Sequence, residues 1–124
     1  MAEIQVTEGG DAALDATAVG ALRDLVGDDP EILRDVVVAF LEDAPERLGE
    51  IARGLAEGDP ALVRRAAHTV KSNALTFGAL RLADACRRLE ETARGEELGD
   101  ARPLAAEIER EWSVARPQIE SLAA

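Results

Sequence analysis

Apolar residues recur at intervals of three and four along most of this chain, the spacing of helices that bury one face. Leu33, Val36, Val37, Phe40, Leu41, Leu48, Ile51 and Leu55 keep that period between Pro30 and Glu57 and predict one long helix. Val36-Val37-Val38 alone reads as a strand, but the long helical flanks overrule it. Pro45 removes one hydrogen bond and predicts a kink between Leu41 and Pro45; two helices split at Ala44 are the alternative. From Pro60 to Phe77, Leu62, Val63, Ala66, Ala67, Val70, Ala74 and Phe77 fall within an arc of about 140° on a helical wheel. Leu80, Leu82, Ala83, Cys86, Leu89 and Ala93 give the inner stripe of a helix ending near Arg94. Leu104, Ile108, Trp112, Ala115, Ile119 and Leu122 mark a last helix beginning near Asp100, with a kink expected at Pro117. Val19, Leu22, Leu25 and Val26 mark a short one, about Asp15 to Val26, that must pack on the rest to persist.

Polar punctuation separates these stretches. Asp59 is a good N-cap, Pro60 suits a first helical position, and Gly78 is a plausible stop. Asp15 or Thr17 can cap the short helix; Gly27-Asp28-Asp29-Pro30 is a loop with its own cap and first-turn proline, and Gly58 ends the long helix. Gly95 to Gly99 reads as a linker, and residues 1–11, broken by Gly9-Gly10-Asp11, as a loose leader. Four long helices on short loops predict an all-α fold. The expected form is an antiparallel up-down-up-down four-helix bundle with a short extra N-terminal helix across one end. With 47% apolar but only 2% aromatic residues the core is aliphatic, which suits helices better than sheet. At 124 residues, one domain spanning 1–124 can bury such a core without staples.

The chemistry concentrates on the Pro60–Phe77 helix. Its histidine, His68, falls at about 240° on the wheel, nearly opposite the apolar stripe. Ala61, Arg64, Arg65, Lys71, Ser72 and Leu75 surround it. One reading is a surface histidine on a solvated face. The other is a nucleophile, since an ordinary imidazole titrates near about 6.5 and is mostly neutral at pH 7. Arg64, Arg65 and Lys71 could then steady a transferring phosphoryl group. Elsewhere, Cys86 and Trp112 read as core, and Arg87, Arg88, Glu90 and Glu91 as an ordinary solvated face. One cysteine and one histidine make no disulfide and no recognisable metal site. A net charge of −11 argues against binding nucleic acid or an anionic membrane. No apolar run spans a bilayer, and no basic-then-apolar signal opens the chain; a cytoplasmic protein is expected. There is no glycine-rich phosphate loop, so self-phosphorylation from ATP is not expected.

Ala67-His68-Thr69-Val70-Lys71-Ser72, followed by Gly78, Ala79, Leu82, Cys86, Leu89 and Glu90, resembles the histidine-containing phosphotransfer (HPt) family. That family's pattern is His, any residue, Leu, Lys, Gly, five residues, Gly. Val70 stands for the leucine and Ser72 for the first glycine; Gly78 matches the second. Phe40-Leu41-Glu42-Asp43-Ala44-Pro45 and Gly58-Asp59 extend the likeness, which covers roughly residues 28–95. The resemblance implies that His68 accepts a phosphoryl group from a receiver-domain phosphoaspartate and passes it to another receiver aspartate. The receivers would belong to response regulators and hybrid histidine kinases. It implies no cofactor on this chain, magnesium belonging to the receivers, and it puts Ser72, Leu75 and Ala61 at the docking surface. A first glycine in the family leaves room for the receiver, so Ser72 is expected to alter fit or rate. A non-catalytic module that binds receivers, and a phosphoacceptor domain cut from a larger histidine kinase, stay open as alternatives. A monomer is the default.

Overall fold

The structure, a computed structural model, describes residues 14–95 and 97–124. The predicted leader, residues 1–11, lies outside them. Five helices follow in order: α1 (Ala16–Leu25), α2 (Pro30–Glu57), α3 (Pro60–Phe77), α4 (Leu80–Thr92) and α5 (Arg102–Leu122). The described residues contain no strand.

The caps explain the boundaries. Asp15 accepts from the Ala18 amide at 3.0 Å, Asp29 from Glu31 at 2.9 Å and Asp59 from Leu62 at 3.2 Å. Each carboxylate satisfies a first-turn donor that the helix itself leaves unpaired. α2 runs unbroken through Pro45 and α5 through Pro117, so neither proline splits its helix. Burial on both sides of Pro45, by Phe40 and Ala44 before it and Leu48 and Ile51 after it, compensates the lost hydrogen bond.

Neighbouring helices pack in the order α2, α3, α4, α5 and back to α2, a closed ring of four helices around one core. α1 packs against α3. The chain's three aromatic side chains meet in this core. Phe40 stacks on Phe77 with centroids 5.2 Å apart, and Trp112 meets Phe40 edge-on at 5.3 Å. Each comes from a different helix, so the cluster ties α2, α3 and α5 together. Around it the filling is aliphatic, and the α3 face is largely alanine: Ala66, Ala67 and Ala74 are all buried. Close approach is also enforced at Gly54, where a β-carbon would stand 2.6 Å from Val63 Cγ2.

Two predicted core positions are outside. Leu25, 82% exposed, is the last residue of α1, and Val26 packs on the core instead. Leu80, also exposed, opens α4 two residues before Leu82, about 200° away on the wheel, while Ala85 is buried. Among the described residues no helix is long and apolar enough to cross a membrane.

Gly78 joins α1 to the end of α3. Its backbone is left-handed at φ 77°, and its carbonyl accepts from the Asp15 amide at 2.8 Å. A β-carbon there would lie 2.7 Å from Asp15 N and 2.8 Å from Asp15 O. Gly78→Ala is therefore expected to destabilise the fold by about 2 kcal/mol or more, from the left-handed backbone and the forced shift of α1. Urea unfolding followed through Trp112 fluorescence measures it; an unchanged midpoint would show that α1 contributes nothing through this joint.

Candidate functional site

His68 lies in the middle of α3, on the face turned away from the buried stripe of Val63, Ala66, Ala67, Val70, Ala74 and Phe77. Its side chain is 58% exposed, as the wheel predicts. The imidazole is nonetheless held. Its Nδ1 lies 2.9 Å from Oε2 of Glu90 on α4. The other oxygen of Glu90, Oε1, forms an ion pair with Lys71 Nζ at 2.7 Å. Lys71 follows His68 by three residues, so both side chains leave the same face of α3 and converge on one carboxylate.

Glu90 corrects the sequence reading. It was expected on a solvated face but is only 7% exposed. On the wheel it falls with Ala83 and Cys86, inside the stripe that faces the core. Burial pushes its carboxyl up, but hydrogen bonds from Lys71 and His68, with their charge, outweigh this and hold it below its ordinary value of 4.5. Glu90 is thus an ionised acceptor at neutral pH. Arg88 also departs from the expected solvated role. It hydrogen-bonds Glu107 on α5 through both terminal nitrogens and Asp84 through Nε at 3.0 Å, clamping α4 to α5. Arg87 and Glu91 do pair on the surface.

The candidate cations divide. Lys71, with 24% of its side chain exposed, is committed to Glu90. Arg64 and Arg65 line a shallow depression beside His68, together with Thr69, Glu90 and Arg94. Arg94, absent from the sequence-predicted site, lies just past the end of α4, in a turn where its amide donates to the Glu91 carbonyl. Ser72 and Leu75, both exposed, continue the His68 face toward the C-terminal end of α3. Ala61 is half-buried near its start. None of these three lines the depression.

Cys86, one turn before Glu90, is fully buried, and burial with the nearby Glu90 charge pushes its thiol up to about 12. It is core, not nucleophile. No cluster of three or more metal-ligating side chains occurs among the described residues. A solvent-open imidazole, oriented by a buried carboxylate and rimmed by arginines, is equipped to take up and release an anionic electrophile brought by a large partner.

Comparison with known proteins gives the same direction. Residues 35–118 match the sequence profile of the Hpt domain. The fold is similar to the crystal structure of histidine-containing phosphotransfer protein B (HptB) from Pseudomonas aeruginosa PAO1, at 33% sequence identity and a TM-score of 0.76. That likeness covers 87% of this chain and 91% of the other. Among curated proteins no match is found. With a profile match over most of its length and a common fold at this identity, the chain belongs to the Hpt domain family, the histidine phosphotransfer proteins of phosphorelay signalling.

Proposed function

We propose that His68 is the phosphoacceptor and that Glu90 sets its nucleophilic nitrogen. The observation that carries this is the contact of Nδ1 with a buried, ionised carboxylate. An ionised carboxylate only accepts, so Nδ1 must carry the proton, and in the neutral ring the lone pair then belongs to Nε2. Nε2 attacks the phosphorus of a receiver phosphoaspartate. The bond from phosphorus to the aspartyl oxygen breaks, and the aspartate leaves as a carboxylate. The phosphorylated ring carries substituents on both nitrogens and so is cationic; Glu90 faces that charge across the Nδ1–H bond. Attack by a second receiver's aspartate breaks the N–P bond and restores the neutral ring. The Nδ1 proton stays in place throughout, and neither step needs an external base.

In this reading Lys71 is a positioning residue. It holds Glu90 ionised and in place, and Arg64 and Arg65 face the anionic group. Ser72, Leu75 and Ala61 belong to the docking surface, Leu75 as its exposed apolar contact. Hpt proteins are phosphotransfer intermediates without an ATP site of their own, and Hpt domains interact with receiver domains of response regulators or kinases. We place magnesium on the receiver and take the working form to be a cytoplasmic monomer. Ser72, where the family has glycine, gives a second reading its foothold: a module that binds receivers without transferring phosphate.

Incubation of the purified chain with receivers phosphorylated by a small phosphodonor tests the first reading. Acid-labile, base-stable label is expected on the native chain and none on His68→Gln, whose stability should stay within about 1 kcal/mol of the native value. Folded chain that takes no label from any competent receiver would favour the binding-only module.

Glu90 gives a prediction in pH. Its folded carboxyl titrates below its ordinary value, so its stabilising contribution is present above 4.5 and is lost as pH falls through the lower folded value. Glu90→Gln leaves Lys71 without its counter-charge and should cost about 1–3 kcal/mol at pH 7. The gap between native and variant should close as pH falls below 4.5. Chemical denaturation at several pH values measures it, and a gap that widens in acid would contradict the assignment. Nitrogen-15 NMR of the His68 ring should show the proton on Nδ1 in the native chain; a bare Nδ1 would overturn the proposed role of Glu90.

A further inference from the structure

Seven of the chain's fourteen basic residues enter ion pairs among the described residues, and the arginines beside His68 are not among them. Arg64, Arg65 and Arg94 gather around one depression, and none of them has an ion-pair partner among the described residues. The one carboxylate lining it, Glu90, is already shared between Lys71 and His68. A local excess of three positive charges therefore surrounds the imidazole, on a chain whose net charge is −11. Against that net negative charge an anionic partner meets attraction at this depression. Arg94 widens that place, because it comes from the turn after α4 while Arg64 and Arg65 come from α3.

We propose that Arg64, Arg65 and Arg94 form a cationic collar that captures receivers with an acidic face around the phosphoryl-bearing aspartate, and that Arg94 acts on encounter rather than on transfer. The inference rests on His68 as the phosphoacceptor and adds the chemistry by which partners are selected. Charge complementarity of this kind raises association rates and orients the partner before contact, and salt screens it. Receivers with a neutral or basic face there gain nothing from the collar and dock more slowly.

The test is the second-order rate of transfer from a phosphorylated receiver with an acidic face, measured from about 20 mM to about 500 mM salt. A receiver with a neutral face serves as comparison. For the acidic receiver the native rate should fall as salt rises. Arg94→Gln should lower it about threefold or more at low salt and flatten the salt dependence, and Arg94→Lys should restore most of it. At saturating receiver the transfer rate of Arg94→Gln should match the native rate. Arg53→Gln, on the exposed side of α2, should move neither quantity. Equal salt dependence in native chain and Arg94→Gln would overturn the collar. So would a loss confined to the saturated rate, which would make Arg94 part of the transfer step. If the native chain takes no label from either receiver, the reading of His68 falls and the collar with it; labelling that is indifferent to salt and to Arg94 sinks the collar alone.

Discussion

A carboxylate placed on a core-facing stripe is expensive unless its charge is answered, and Glu90 is such a carboxylate. Lys71 answers the charge and His68 takes the remaining hydrogen bond. The three residues depend on one another. Without the lysine the carboxylate would drift toward its neutral form and lose its power to fix the ring. Without the carboxylate an imidazole that is more than half exposed would rotate among its rotamers. The arrangement also spans the α3–α4 interface, so the geometry of the site is set by the packing of two helices and not by a loop.

That packing lies on the other face of α3. Phe40, Phe77 and Trp112 anchor the bundle from within, and the small side chains of Ala66, Ala67 and Ala74 let α3 sit close to its neighbours. A helix fastened along its whole inner side presents its outer side as a rigid edge. Exposure of His68 and burial of the core are therefore two results of one sequence period.

Most of this was legible in the sequence. The caps at Asp15, Asp29 and Asp59, the extent of α3 and the outward turn of His68 follow from local chemistry and spacing. Glu90 was misread because its type was allowed to outweigh its position, although the α4 spacing places it beside Ala83 and Cys86. No spacing argument could have paired it with His68, twenty-two residues away, because that contact depends on how two helices lie together. Arg94 was missed for the same reason: its approach to His68 depends on how α3 and α4 lie together, which spacing along either helix does not give. Leu25 and Leu80 show the same weakness at helix ends, where one residue of turn decides which neighbour is covered. Pro45 and Pro117 follow the apolar spacing, which continues past each proline as the helix does.

The chain has one histidine, and it stands on one outer face. On the proposed reading the same patch must serve a donor and an acceptor, which cannot occupy it together. Each becomes a competitive inhibitor of the other's step. Turnover then depends on how fast the first partner leaves as much as on how fast the phosphoryl group moves. A surface optimised to grip either receiver would stall the relay, so natural selection on this face should favour short residence over tight affinity.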